Sequence, residues 1–195
     1  MVECVFKCLS SHTTLRMSTK KLLFSLAIAG SLSGCVHTKL ANPSKTFSSN
    51  HPLTSRDVSD LKELAATGAD ISNFVSPLEK GLSIQDDDRY DRASALAFHY
   101  ARTNQNKLLG FIIFGDYELR SAGISVIDER ASKGFDVSYF ANELERTLSV
   151  PDGTIANKAH ALAIHYVRTK QFDKVCSFLT SGDAELKSAV NLLLL

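Results

Sequence analysis

Shifted by 66 residues, the chain matches itself. Residues 68–84, GADISNFVSPLEKGLSI, align with 134–150, GFDVSYFANELERTLSV, with eight of seventeen positions identical. Residues 95–105, ALAFHYARTNQ, align with 161–171, ALAIHYVRTKQ. With one extra residue, GDYELRSA at 115–122 aligns with GDAELKSA at 182–189. Three colinear blocks mark an internal repeat, in which one unit is reused and neighbouring units bury each other's apolar faces. The spacing predicts a tandem duplication, with units at about 58–123 and 124–190 inside one domain spanning 57–195.

Each unit reads as helices. Leu119, Ala122, Val126 and Ile127 recur at helical spacing with Gly134 behind them as a C-terminal cap, and Val58, Leu61 and Leu64 do the same before Gly68. Asp70 and Asp136 stand where an N-cap is wanted, ahead of a second helix carrying Phe74 and Leu78, or Phe140 and Leu144. Ser76-Pro77-Leu78-Glu79 has the form of a capping box with proline in its first turn, which predicts a bend or restart. A third helix carries Ala93, Leu96, Ala97 and Tyr100, matched by Ala159, Leu162, Ala163 and Tyr166. A fourth carries Leu108, Leu109, Ile112 and Ile113, or Val175, Phe178 and Leu179. No stretch alternates polar and apolar residues as a half-buried strand does. The expected fold is all-α: an α-solenoid of stacked helix pairs, built by duplication of a 66-residue four-helix unit.

Four helices in 66 residues make two pairs of about 33 each. That length, together with ALAIHYVRTKQFDKVCSFL, resembles tetratricopeptide-type repeats. Leu162, Ala163 and Tyr166 take the large, small and aromatic positions of the first helix, and Phe172 the aromatic after the turn. The match is good for the third and fourth helices and loose for the first and second. Ankyrin repeats are the second choice, because LKELAATGADIS and DERASKGFDVS resemble their helix end and loop. Their Thr-Pro-Leu-His start is absent, and the Gly-x-Asp loops recur every 66 residues. Both architectures present a curved surface to other chains.

Ahead of the domain, residues 20–35 read KKLLFSLAIAGSLSGC. The apolar run from Leu22 to Leu32 is eleven residues, against roughly 20 for a membrane-spanning helix. Two lysines, a short apolar core and small residues fit a secretory signal. Its end, Leu32-Ser33-Gly34-Cys35, resembles the lipobox of bacterial lipoproteins. The resemblance implies cleavage before Cys35 and acylation of its sulfur and new amino group. Residues 17–34 are then the signal peptide, and Met17 is a better initiator than Met1, leaving 1–16 untranslated or without structure. Residues 35–56, rich in Ser, Thr, Asn and Pro, read as a tether. Twenty such residues reach about 25 Å. Val36 stands after the cysteine, where an aspartate would retain a Gram-negative lipoprotein at the inner membrane, so the resemblance points to the outer membrane and a periplasm-facing domain.

Charge narrows the partners. Removing residues 1–35 takes four of 22 basic and one of 21 acidic residues, leaving 18 against 20. So weak and mixed a charge argues against nucleic acid, where affinity comes from neutralised phosphates. Only Cys176 remains beside Cys35, so stability rests on packing and not on an internal disulfide.

Few residues suggest chemistry. His99 and Arg102, with their twins His165 and Arg168, are three apart and share a helix face, so they are candidates for a polar strip that receives an acidic or carboxylate-ended peptide. No unique nucleophile accompanies them, and the residues do not point to an enzyme. Cys176 aligns with Gly110 and reads as a small structural residue. The run Asp86-Asp87-Asp88-Arg89-Tyr90-Asp91 lacks the turn glycine and final glutamate of a calcium loop and reads as a helix N-terminus. His37, His51 and His160 show no ligand spacing, and no metal or cofactor motif is present. The end, AVNLLLL, reads as the first helix of a third unit, whose bare leucines either tuck onto the last pair, form a self-association contact, or mark a shortened frame. The expectation is a lipid-anchored envelope protein whose helical repeats bind a protein partner as adaptor or assembly factor, as tetratricopeptide-like lipoproteins do. The alternatives are a cell-wall enzyme and a purely structural, self-associating lipoprotein.

Overall fold

Capping starts the domain. The Thr54 hydroxyl accepts from the Asp57 amide at 3.3 Å while the Asp57 carboxylate accepts from the Thr54 amide at 2.9 Å, a reciprocal box that opens helix α1, Ser55–Ala66. The computed structural model describes residues 52–181 and 183–193. The signal segment, Cys35, the tether up to His51, and Leu194 and Leu195 lie outside them. The described residues belong to a compact unit spanning Ser49–Leu195. After α1 come a short 3₁₀ turn, Ser72–Phe74, and helices α2 (Val75–Gly81), α3 (Arg89–Thr103), α4 (Gln105–Phe114) and α5 (Tyr117–Ser132). Helices α6 (Ser138–Thr147), α7 (Ile155–Arg168), α8 (Phe172–Thr180) and α9 (Ala184–Leu193) complete the order. Among the described residues there is no strand; the fold is all-α.

The helices alternate. Each odd-numbered helix packs on the next odd one, α1 on α3, α3 on α5, α5 on α7 and α7 on α9, while the even helices pack against the odd ones beside them. Helix α3 therefore touches α1, α2, α4 and α5, and its burial is nearly continuous: Ala93, Ser94, Ala95, Leu96 and Ala97 are all shielded. A helix surrounded on all sides loses the polar face of an amphipathic one. Alanine suits that position because it lets neighbouring backbones approach. Helix α7, in contact with α5, α6, α8 and α9, uses Ala159, Ala161, Leu162 and Ala163 in the same way. Larger side chains fill the spaces between: Leu61, Leu78, Leu108, Ile124, Ile127, Phe140 and Leu144 are buried, each worth about 1.5–3 kcal/mol of transfer free energy.

Helix ends recur with the same geometry. The Gly68 and Ala69 amides bond to the Ala65 and Leu64 carbonyls, and those of Gly134 and Phe135 bond to Ala131 and Arg130, a Schellman closure at each place. Both glycines are left-handed, φ 95° and 86°. A third closure ends α7, where Lys170 and Gln171 bond to Val167 and Tyr166; here the left-handed residue is Lys170, φ 60°. The corresponding end of α3 lacks this closure: Asn104 is extended and caps α4 directly through the Lys107 amide. Lys170 is thus the extra residue, and beyond it matching positions lie 67 apart. Counted from the helix starts Gln105 and Phe172, Val175 lies where Leu108 does and Phe178 where Phe111 does.

Two cap readings change. Ser76 is not an N-cap: the 3₁₀ turn has already begun the segment, so Ser76 and Pro77 sit inside α2, and Glu79 turns to other helices. Pro77 is tolerated because it falls in the first turn, where its missing amide has no partner to lose. Asp70 and Asp136 do act as caps, but from outside the helix, each accepting from the amide and hydroxyl of the serine two residues on, at 2.9 and 2.6 Å.

Candidate functional site

The same three-residue cluster occurs twice. Tyr100 on α3 donates its hydroxyl to Glu79 on α2, and Lys107 on α4 reaches the same carboxylate oxygen at 2.7 Å. Tyr166 donates to Glu145 at 2.7 Å, and Lys174 reaches that oxygen at 2.5 Å. Each ammonium lies 4.9 Å from the centre of its tyrosine ring, and each ring meets a phenylalanine edge-on, Phe111 or Phe178. Lys107 and then Tyr100 hold the Glu79 carboxyl below its ordinary range. For Glu145, burial opposes the same shift and Lys174 and Tyr166 outweigh it. Burial first, and then the bonded glutamate, pushes both phenols well above the usual tyrosine range. Each cluster ties an even helix to the odd one beside it and to the next even helix.

The residues of the expected strip separate by depth. His99 and His165 are only 7% and 8% exposed, and burial holds both imidazoles below their ordinary pKa, so both are neutral at pH 7. Arg102 and Arg168 are at the surface. Arg102 donates to the carbonyls of Ala65 at 2.6 Å and Ala69 at 3.0 Å, closing the end of α1, and Arg168 donates to Phe135 at 2.8 Å, closing the end of α5. Spacing of three put histidine and arginine on one face; it could not tell that packing buries the histidine half of it.

Arg102 also lines a polar groove of about 390 Å³ with Thr103, Asn104, Gln105, Asn106 and Tyr139, contributed by the α3 end, the α4 start and α6. The Asn104 carbonyl accepts from the Lys107 amide at 3.1 Å, the Asn106 carbonyl accepts from the Tyr139 hydroxyl, and Thr103 donates back to the His99 carbonyl at 2.9 Å. Among the described residues neither Arg102 nor Arg130 has a carboxylate at ion-pair distance, and Arg130 lies over the Phe135 ring at 4.4 Å. Lost hydration first, and then the Arg130 charge, hold Arg102 below its ordinary pKa, while Asp70 works against the shift. Sequence reading missed Asn104, Asn106 and Tyr139. The signal available was the NQN that follows Arg102-Thr103, which has no counterpart after Arg168-Thr169.

Other candidates resolve as follows. Asp86 accepts from Arg92 and from the Asp88 amide, and among the described residues no three His, Cys, Asp or Glu side chains gather as a metal site. His160 Nδ1 lies 2.7 Å from Asp128 Oδ1, beside a second groove of about 210 Å³ lined by Ala156, Glu185, Ser188 and Leu192. Helix α9 buries Ala189 and Val190 and leaves Leu192 exposed. Among the described residues no helix is long and apolar enough to cross a membrane. No family model matches the chain, and neither a curated protein nor a solved structure matches it.

Proposed function

We propose that this chain is a bacterial envelope lipoprotein, anchored by lipid on Cys35 and facing the periplasm from the outer membrane, whose helical repeats bind a protein partner as an adaptor or assembly factor. The domain is read as an α-solenoid made by duplication of a four-helix unit. The alternation of odd and even helices supports that reading, as do the paired clusters Glu79–Tyr100–Lys107 and Glu145–Tyr166–Lys174. Solenoids use their extended surfaces for other chains, since each pair contacts only its neighbours. The observation that carries the binding role is the groove at Arg102, Asn104, Asn106 and Tyr139, an open polar concavity next to an exposed aromatic ring. The anchor rests on the Leu32-Ser33-Gly34-Cys35 segment alone.

Metabolic labelling with palmitate in a Gram-negative host tests the anchor: wild type takes up label and Cys35→Ser does not, whereas an unlabelled wild type overturns it. Affinity purification of the mature protein from crosslinked envelopes tests the adaptor role. A defined envelope protein, lost in the Tyr139→Asp variant, is expected; recovery of the bait alone contradicts it. A second reading, self-association through α9, is favoured by the exposed Leu192 beside the α7–α9 groove. Sedimentation of wild type and Leu192→Glu separates the two, since only self-association loses a larger species in the variant.

A further inference from the structure

We infer that the groove between the α3–α4 turn and α6 takes an acidic segment of a polypeptide, an inference that rests on the protein-binding reading above. The Asn104 amide oxygen is committed to the Lys107 amide and the Asn106 oxygen to the Tyr139 hydroxyl. An asparagine whose oxygen already accepts one bond keeps a single lone pair there and both N–H donors of its –NH₂. Arg102 uses single contacts to the Ala65 and Ala69 carbonyls and keeps further N–H groups of its fork. Arg102, Asn104, Asn106 and Gln105 thus bring N–H donors to one concavity that also holds the amide and hydroxyl oxygens of its lining, and the sole charged group among the lining residues is the Arg102 guanidinium. The backbone donor nearest the turn, the Lys107 amide, is already capped and is not part of the case.

Charge points the same way. Arg102 lines the groove, and among the described residues it meets no carboxylate at ion-pair distance; its contacts are the two carbonyls. The buried cations of the domain are paired inside it: Arg89 with Asp116 and Glu118, Arg92 with Asp86, Lys158 with Asp152. Arg102 differs in keeping guanidinium N–H groups at a groove without a bonded carboxylate, and a carboxylate from outside can bond them. The half-exposed Tyr139 ring gives such a segment an amphipathic wall beside the donors.

The test is fluorescence anisotropy of the mature protein in detergent with a fluorescein-labelled octapeptide alternating Glu and Ser, and with its Gln-for-Glu twin. The acidic peptide binds, the twin binds at least about tenfold more weakly, and affinity falls as salt is raised. Asn104→Asp keeps the helix cap, since aspartate caps as well as asparagine. It also replaces the free donor with a negative oxygen. This variant unfolds at the wild-type temperature or slightly above and binds the acidic peptide at least about tenfold more weakly. Asn106→Asp behaves alike. Equal binding of the two peptides, undiminished binding by Asn104→Asp, or displacement by inorganic phosphate as effective as by unlabelled peptide overturns the inference. If the peptide fails while a polypeptide still crosslinks through position 139, the acidic class falls and the protein-binding reading stands.

Discussion

Arg92 occupies the space that a side chain at position 81 would need: a Cβ on Gly81 would sit 2.6 Å from Arg92 Cδ. The matching pair is Thr147 and Lys158, in which the slimmer lysine leaves room for a β-branched residue and donates to its carbonyl at 2.9 Å. Lys158 is completely buried and also bonds both Asp152 oxygens at 3.0 Å. Arg92 reaches Asp86 in the matching way, although its buried Nε finds no partner among the described residues. Glycine goes with arginine and threonine with lysine. Gly81→Thr alone is expected to cost about 1–3 kcal/mol through overpacking. The double variant Gly81→Thr/Arg92→Lys recovers at least half of it. Urea denaturation of the four proteins in a double-mutant cycle reads the coupling; additive costs contradict it.

Removing the acid from the second pair leaves a buried ammonium with only a carbonyl. Asp152→Asn is therefore expected to destabilise by about 3 kcal/mol, the range for a broken buried pair. Burial by itself raises the Asp152 carboxyl, but Thr154 and Lys158 outweigh it and bring it down to about 2. The folded value lies below the unfolded one of about 3.9. Its stabilisation is therefore complete above that value and is lost as pH falls from about 4 through 2. Denaturation midpoints between pH 6 and 2 show the loss in wild type. In Asp152→Asn the acid decline is shallower from a lower start; parallel curves contradict the assignment.

Lys170 holds a left-handed backbone in a position where the two matching loops use Gly68 and Gly134. A residue with a Cβ gives up roughly 1 kcal/mol there. Lys170→Gly is expected to raise the melting temperature by about 2–4 °C, and Gly134→Ala to lower it by a similar amount. A lower melting point for Lys170→Gly contradicts the αL reading of the α7 end.

How much of this was legible follows from where each residue's role is decided. The helices were readable because Ala93, Leu96, Ala97 and Tyr100 recur at 3.6-residue spacing, although burial of α3 extends well beyond that stripe to Ser94, Ala95 and His99. The α2 start was not. Ser76-Pro77-Leu78-Glu79 has the right letters for a cap, but the 3₁₀ turn begun by Asp70 and Ser72 had already started the segment, and Glu79 does better with Lys107, 28 residues away. Similarly, the one-residue offset between the matching segments was visible, but its place depends on φ at Lys170, a backbone choice that the letters do not carry. At the groove, Arg102 was picked out by its helix position, whereas Asn106 and Tyr139 meet across 33 residues and only the packing of α4 on α6 brings them together.

Two phenols should resist titration. Tyr100 and Tyr166, buried and bonded to glutamates, stay protonated in the folded protein above the pH where an exposed phenol ionises, about 10. The absorbance change at 295 nm up to pH 11 in the folded state is then the same for wild type and for Tyr100→Phe/Tyr166→Phe. A smaller change in the double variant contradicts the clusters.

The role of the groove as a protein-binding surface is tested most directly by photocrosslinking in living cells. A benzoylphenylalanine placed at Tyr139, in the groove, is compared with one at Phe114, an exposed ring that does not line it. The account predicts a discrete envelope-protein adduct from position 139 and none from position 114, with the adduct lost when Asn104→Asp is added. Absence of an adduct at 139, or the same adducts from both positions, contradicts it.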